Sequence, residues 1–207
     1  MATHIDIDHV HHDAIGDNSN AVVWLTPLEG GKEAKPVPNA KFTISQKDKQ
    51  FIPHVLAVPI GTKIQFPNKD PFFHNVFSLY QGKKFDLGLY EAGSSREVLF
   101  DKPGVSFIFC NIHPNMSAYV LALDTNYFDV TRKDGQVRIE NVPPGKYRLQ
   151  VWYERAEDAE LARLTRMLEV GESNIKVGTI HVKESPKFQP EHSNKHGKPY
   201  DPEPPPY

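Results

Sequence analysis

The only cysteine of the chain lies in the segment CNIHPNM, residues 110–116, where a histidine and a methionine follow it at positions 113 and 116. Another histidine, His74, stands earlier in the segment PFFHNVFS. Two imidazoles, one thiolate and one thioether form the trigonal His₂Cys set with a weak axial methionine that suits mononuclear copper. The residue types and their spacing therefore predict a copper site formed by His74, Cys110, His113 and Met116.

The chemistry of this ligand set favours electron transfer over catalysis. Side chains fill all four predicted coordination positions, so no position is left for a substrate. Copper(I) and copper(II) prefer different coordination geometries. A stiff scaffold that holds the ligands in an intermediate geometry needs little rearrangement when an electron arrives. The sequence contains no recognisable Ser-His-Asp order, paired-carboxylate pocket or glycine-rich phosphate loop. We therefore do not expect an enzyme.

The predicted ligands lie at the ends of short β-type segments. Between residues 21 and 123, apolar runs such as TKIQF, HNVFSL and VSFIFC alternate with turn signals such as PIG, PNKDP and DKPG. This spacing is typical of a β-sandwich or barrel. His74 begins one run and Cys110 ends another, so both ligands are expected at strand ends.

A second, smaller β-sandwich is predicted for residues 124–184. This part contains an Asp-Gly turn, a VPPG turn and the alternating strand pattern of KYRLQVWYE. A short helix is expected near residues 155–162, followed by a strand. The chain as a whole is predicted to be all-β with this one helix.

Both ends of the chain are predicted to lie outside the packed domains. Residues 1–20 are rich in His and Asp and are expected to form a solvated, mobile arm, although His9, His11 and His12 are close enough in sequence to capture a metal ion. Residues 185–207 are polar and rich in proline, which predicts an extended, polyproline-like tail.

The composition argues against several classes of partner. The 24 basic and 26 acidic residues give a net charge of -2, so no basic excess is available for nucleic acids or anionic membranes. No apolar stretch is long enough to span a bilayer, and the first residues lack the apolar core of a secretion signal. Either the protein stays inside the cell or an export signal has been removed.

The segments NKDPFFHNVFS and CNIHPNM resemble the cupredoxins of the plastocyanin, amicyanin and pseudoazurin type. The C-x-x-H-x-x-M loop is most similar to that of amicyanin and pseudoazurin. The resemblance covers roughly residues 40–123, within a predicted copper domain that spans residues 21–123. It implies a Greek-key β-sandwich that binds one type 1 copper ion through His74, Cys110, His113 and Met116, without a catalytic function.

The resemblance also implies a role for the residue after the first ligand. Asn75 is expected to tie the two ligand loops together, with its backbone amide pointing at the sulfur of Cys110. Many relatives have a proline between the cysteine and the histidine, where this chain has Ile112. The isoleucine supplies an additional backbone N–H near the sulfur.

The resemblance further implies a docking surface and a location. Phe72, Phe73 and Pro114 are expected to surround the exposed edge of His113 as an apolar patch, although the two phenylalanines fit a core position equally well. A redox protein that donates electrons and another that accepts them are the implied partners. Such domains usually work outside the cytoplasm, which implies a periplasmic or secreted protein.

Residues 134–152 resemble the carboxypeptidase regulatory-like, transthyretin-type β-sandwich, with the turn motifs DG and VPPG at the usual places. The early strands of that fold are missing from the C-terminal part. The segment AVVWLTP, within residues 21–28, looks like one of them, so we expect it to contribute a strand to the second sandwich. Proteins of the methylamine-utilisation type show a similar pairing of domains.

Two other functions remain open from the sequence. A copper carrier or storage protein would use the same ligands but release the ion, and a flexible His-rich arm would suit it. A non-metal structural or assembly module would use both sandwiches only to display surfaces.

Overall fold

The computed structural model describes residues 3–12, 17–28, 40–79, 82–188, 194–196 and 198–200. The described part is almost entirely β-structure with one short helix, which confirms the predicted fold class. In chain order the elements are β1 (Thr3–His12), β2 (Val22–Pro27), β3 (Phe42–Thr43), β4 (Ser45–Lys47), β5 (Gln50–Ile52), β6 (Val55–Pro59), β7 (Thr62–Pro67), β8 (His74–Ser78), β9 (Phe85–Tyr90), β10 (Ser95–Phe100), β11 (Gly104–Phe109), β12 (Ser117–Leu123), β13 (Phe128–Val130), β14 (Val137–Val142), β15 (Gly145–Trp152), α1 (Asp158–Leu164), β16 (Arg166–Val170) and β17 (Ile175–Val182).

The chain forms two compact units. The split unit is built from Met1–Ala34 and Asp124–Phe188, and the central unit from Lys35–Leu123 together with Gln189–Tyr207. The chain therefore leaves the split unit after β2 and returns to it after β12.

The split unit is a sandwich of two sheets, with the strand orders β14-β1-β17 and β13-β2-β15-β16. Its strands alternate between the core and the solvent, as in β14, where Val137 and Ile139 are buried and Arg138 is exposed. The inward side chains of both sheets share one core. This core includes Ile5, Val10, Leu25, Leu149, Val151 and Ile180.

The N-terminal segment is a strand, so the mobile arm predicted for residues 1–20 is wrong over residues 3–12. β1 pairs antiparallel with β14 and parallel with β17, which makes it the central strand of its sheet. Ile5, Ile7 and Val10 are at most 1% exposed. These three apolar residues are enough to bury one face of a strand that has hydrogen-bonded neighbours on both sides. Residues 1–2 and 13–16 lie outside the described residues.

The strand β2 joins the sheet formed by the later part of the chain. It pairs antiparallel with β15, with Val23 opposite Val151 and Leu25 opposite Leu149. The helix α1 follows β15 and is succeeded by β16, close to the positions predicted for a helix and a strand. Acidic Asp158 and Glu160 lie in its first turn, where they interact favourably with the helix dipole.

The central unit is also a two-sheet sandwich. One sheet has the order β10-β7-β3 and the other β6-β12-β11-β8-β9, while β4 and β5 form a separate hairpin. In β7 buried Ile64 and Phe66 alternate with exposed Lys63 and Gln65. The core between the two sheets includes Ile64, Phe66, Val76, Phe100, Ile108 and Val120.

The C-terminal residues that the structure describes are folded back, so the extended tail predicted for residues 185–207 is wrong there. The side chain of Asn194 accepts hydrogen bonds from the backbone amides of His196 and Lys198, which forms a compact turn. Ser185 donates its backbone amide to the carbonyl of Arg155 in the split unit. The predicted tail positions 189–193, 197 and 201–207 lie outside the described residues. No helix among the described residues is long and apolar enough to span a membrane.

Candidate metal centre

The topology of the larger sheet brings the predicted ligands together. β8 and β11 are antiparallel neighbours, with Phe77 opposite Phe109, so the start of β8 lies beside the end of β11. His74 is the first residue of β8, and Cys110 directly follows β11. The loop from Cys110 to Met116 connects β11 with its other neighbour, β12. Two chain segments that are distant in sequence therefore meet at one edge of the sheet.

Three of the four predicted ligands present their donor atoms to a common point. The imidazole and sulfur donors of His74, Cys110 and His113 all lie within 4.8 Å of one another. The Sγ atom of Cys110 is 3.8 Å from Nδ1 of His74 and 3.6 Å from Nδ1 of His113. An ion bonded to sulfur at about 2.3 Å and to nitrogen at about 2.0–2.1 Å separates these donors by roughly 3.5–3.8 Å. The observed distances therefore fit a single metal ion.

Met116 is the last residue of the loop of residues 110–116, called here the ligand loop. Its backbone amide donates to the carbonyl of His113 at 3.0 Å, and its carbonyl accepts from the amide of Cys110 at 3.2 Å. These two bonds close the loop into a compact turn. The side chain of Met116 is fully buried in the same core cluster as Cys110. Its role as an axial ligand stays a prediction.

A carboxylate that the sequence analysis did not identify orients the first histidine. Nε2 of His74 is 2.7 Å from Oδ2 of Asp70, and both side chains are buried. Because a carboxylate accepts, Nε2 of His74 carries the proton and Nδ1 presents its lone pair toward the sulfur of Cys110. Asp70 therefore selects the tautomer that a metal ion requires.

Asp70 is itself held by the hairpin between β4 and β5. The backbone amides of Asp48 and Lys49 donate to its two carboxylate oxygens at 2.6 and 3.0 Å. Both residues have φ angles in the left-handed region, 54° and 56°, which is unfavourable for side chains of this kind. The bonds to the carboxylate offset that cost. Although burial opposes ionisation, the bonds from Lys49, His74 and Asp48 hold the pKa of Asp70 below its ordinary value.

Burial favours the neutral form of both histidines of the cluster. Burial lowers the pKa of His74, and the hydrogen bond to Asp70 only partly opposes this effect. Burial also lowers the pKa of His113 to about 4, with a smaller contribution from the nearby ring of His74. Neutral imidazole is the form that binds metals, so near neutral pH both rings have a lone pair available.

Three backbone amides point at the sulfur of Cys110. Burial raises the pKa of the thiol, while hydrogen bonds from the amides of Asn75, Ile112 and His113 oppose that increase. The contact from Asn75 joins the segment at the start of β8 to the ligand loop, and the one from Ile112 is the donor that a proline would lack. The thiolate is the form that binds a metal, so metal binding is coupled to loss of the Cys110 proton.

The side chain of Asn75 points to a different neighbour. Its amide nitrogen donates to Asp86 on β9 at 2.8 Å. Asp86 also accepts from the ammonium of Lys195, in the folded C-terminal segment, at 3.0 Å. The link from Asn75 to the ligand loop therefore comes from its backbone, whereas its side chain fixes β8 to β9.

Of the three residues of the predicted docking patch, Phe72 lies beside the imidazole rings. The ring centre of Phe72 is 5.2 Å from that of His74 and 5.7 Å from that of His113. Phe73 is 46% exposed, and Pro114 is also exposed. His113 itself is only partly buried. Phe72 thus contacts the rings of His74 and His113, and the other two side chains are accessible from solvent.

The C-terminal segment packs on the ligand loop, which the sequence analysis also missed. Tyr200 donates a hydrogen bond from its phenol to the carbonyl of Cys110, and the backbone amide of Lys195 donates to the side chain of Asn111 at 2.9 Å. No local pattern in this proline-rich segment indicates such contacts. They fix the positions of two consecutive residues of the loop.

Some solved structures are similar to part of the chain. A Cu-containing nitrite reductase from Thermus scotoductus is 27% identical over 48% of this chain, with a TM-score of 0.40, and the chain covers only 26% of its length. A purple cupredoxin from Nitrosopumilus maritimus is 24% identical over 40% of this chain and 100% of its own, with a TM-score of 0.37.

A mutant of amicyanin in its Cu(I) form is 14% identical over 48% of this chain and 98% of its own, with a TM-score of 0.39. No protein-family model matches the chain, and none of the curated proteins matches it.

Proposed function

We propose that the central unit binds one copper ion in a type 1 centre and that the protein transfers single electrons between redox partners. The observation that supports this proposal most strongly is the convergence of Nδ1 of His74, Sγ of Cys110 and Nδ1 of His113 within 4.8 Å. Met116 completes the proposed ligand set as the weak axial ligand.

The donor set favours copper over other metals. One thiolate and two imidazoles, with a thioether expected as the fourth donor, match the preference of copper for soft sulfur and nitrogen ligands. A structural zinc site has four strong ligands, and here the fourth candidate is the weakly binding Met116. Calcium and magnesium prefer carboxylate and carbonyl oxygens. The buried carboxylate of Asp70 instead binds the far nitrogen of His74.

The rigidity of the site favours electron transfer over copper transport. His74, Cys110 and Met116 are fully buried, and Asp70 and three backbone amides hold the first two donors in place. Bound copper supplies a one-electron couple. When the ligands are already fixed, the change in charge at the site costs little reorganisation energy. A carrier, in contrast, needs ligands that move apart to release the ion.

Electrons are proposed to enter and leave near His113. It is the one proposed ligand that is not fully buried, and exposed Phe73 and Pro114 are the sequence neighbours of His74 and His113. An apolar surface of this kind allows a redox protein to approach closely and dissociate quickly. A donor and an acceptor protein, and a periplasmic or secreted location, are part of this proposal.

The experiment that tests the proposal follows copper through repeated redox cycles. The copper-loaded protein is reduced with ascorbate and reoxidised with ferricyanide while a Cu(I)-specific chelator is present. We expect the visible charge-transfer band between the Cys110 thiolate and copper(II) to disappear on reduction and return on oxidation in each cycle. No copper should pass to the chelator. Rapid transfer of copper in the reduced state would contradict electron transfer and support the carrier function. The Cys110→Ser variant is the control that lacks the sulfur ligand.

A further inference from the structure

We propose that His9, His11 and His181 form a second metal site, on the outer face of the split unit, for a divalent transition metal ion such as Zn²⁺ or Cu²⁺. These three residues are the outer histidine cluster. None of them belongs to the central unit, so this site does not depend on the proposed copper centre.

A β-bulge decides which histidines of β1 face outward. The pairing of β1 with β17 shifts its register between Ile7 and His9. Two residues therefore separate the buried Ile7 from the next buried residue, Val10. Without the bulge, simple alternation would place His9 and His11 in the core. The bulge instead places both imidazoles on the same outer face of the sheet.

The ring of His9 is held in one orientation by the loop before β14. Its Nδ1 atom is 2.7 Å from the carbonyl oxygen of Asp134, so Nδ1 carries the proton and donates. The ring also lies against Gly135, where a Cβ atom would be only 2.8 Å from the same nitrogen. The Nε2 atom of His9 therefore carries a lone pair in a fixed position.

The lone pair of His9 points at a second donor. Its Nε2 atom is 3.4 Å from Nδ1 of His11. Two nitrogen atoms that bind one ion at about 2.0–2.1 Å in tetrahedral geometry lie about 3.3–3.4 Å apart. A hydrogen bond of this length is weak, whereas the separation suits two ligands of one metal ion. The two rings are therefore arranged as a chelating pair.

The third imidazole comes from the neighbouring strand. His181 lies directly beside His11 in the parallel pairing of β17 with β1, and the two ring centres are 5.6 Å apart. Two imidazoles that share an ion hold their ring centres roughly 5 Å apart. The ring of His181 must turn toward the pair to complete the site. Because this residue is exposed, the turn does not disturb the core. An ion bound here would connect β1 to β17.

The donors determine the class of ion. A site of neutral imidazoles suits Zn²⁺, Cu²⁺ and Ni²⁺, and discriminates against Ca²⁺ and Mg²⁺. His12, which follows in sequence, is not part of the site. Its ring is buried on the opposite face, where it stacks on Tyr153 at 4.1 Å.

The test follows the imidazole resonances of the full-length protein by nuclear magnetic resonance during a titration with Zn²⁺. The resonances of His9, His11 and His181 should shift together and saturate at one equivalent at this site. Residue-specific signals separate this event from any binding at His74 and His113. The His11→Ala and His181→Ala variants should each bind zinc at this site at least tenfold more weakly.

His4→Ala is the matched control. His4 lies on the same strand before the bulge and contacts Asp6 at 3.2 Å instead of the cluster. This variant should bind zinc as the unchanged protein does. Thermal melting without zinc checks that all three variants are folded. Absence of any shift at His9 and His11, or equal binding by all variants, would overturn the proposal.

Discussion

Tyr200 donates a hydrogen bond of 2.7 Å from its phenol to the carbonyl oxygen of Cys110, the residue that carries the proposed sulfur ligand. Lys195 in the same segment contacts Asn111 through its backbone and Asp86 through its side chain. A segment near the C terminus thus supports the ligand loop from outside the β-sandwich. This relationship connects the stability of the loop with residues that are distant in sequence.

Removal of the hydroxyl group of Tyr200 should loosen the ligand loop. We expect Tyr200→Phe to destabilise the central unit by about 1 kcal/mol, because the variant leaves the carbonyl of Cys110 without this donor. Bound copper should also pass faster to a competing chelator, which absorption spectroscopy can follow. Lys198→Ala, in the same segment, is the control, since the side chain is exposed and only its backbone contacts Asn194. Equal rates for both variants would show that the phenol does not support the loop.

Loss of the carboxylate beside His74 should weaken metal binding. Asp70→Ala removes the acceptor that orients the ring, and we expect copper affinity to fall about 10–100-fold. Asp70→Asn retains an acceptor oxygen for His74 and should lose less. The dissociation constants can be measured by competition with a chelator of known affinity. If both variants bind copper as tightly as the unchanged protein, the carboxylate does not orient the ligand.

The backbone amide of residue 112 should influence the reduction potential. An N–H donor stabilises negative charge on the sulfur of Cys110 and so reduces electron donation to copper(II). Ile112→Pro removes that donor and should lower the potential, whereas Ile112→Val retains it and should leave the potential nearly unchanged. Protein-film voltammetry measures the reduction potentials of both variants. A higher potential in the proline variant would contradict this explanation.

The split unit should lose stability in acid through one carboxylate. Glu160 on α1 accepts two hydrogen bonds from Arg163 and one from the backbone amide of Lys183. The bonds from Arg163 contribute most to lowering its pKa from 4.5 to about 2. Because the folded-state pKa is lowered, this stabilisation is fully present above pH 4.5 and is lost as the pH falls toward 2.

The Glu160→Gln variant should therefore be less stable than the unchanged protein by about 1 kcal/mol at neutral pH, and the difference should shrink in acid. Urea unfolding at several pH values measures this difference in the free energy of unfolding. Glu172→Gln, an exposed position in the same unit but outside the helix, is the control and should change little. A difference that is independent of pH would contradict the assignment to Glu160.

The fold was largely predictable because most strands bury one face. In β7 and β15 the buried apolar residues alternate with polar ones, so the pattern is visible in a single sequence. β1 was missed because Ile5, Ile7 and Val10 are separated by histidines and aspartates and because the bulge interrupts the alternation. Only the neighbouring strands show that this segment belongs to a sheet.

The metal centre was predictable only in part. Cys110 and His113 lie on one short loop, so their spacing is a local signal. Asp70 orients His74 through a contact that depends on the hairpin between β4 and β5, and a loop aspartate before a proline otherwise resembles an ordinary turn residue. Tyr200 lies in a proline-rich segment whose composition predicts an extended chain. Contacts that join distant segments leave no local pattern.

The most direct test of the central claim is the visible and electron paramagnetic resonance spectrum of the protein after addition of one equivalent of Cu²⁺. We expect an intense visible band from charge transfer between the Cys110 thiolate and copper, with the small hyperfine splitting typical of type 1 copper. The band should be absent from Cys110→Ser, while the folded structure is retained. A spectrum without this band, or one that is identical in the variant, would contradict direct bonding of the sulfur to copper.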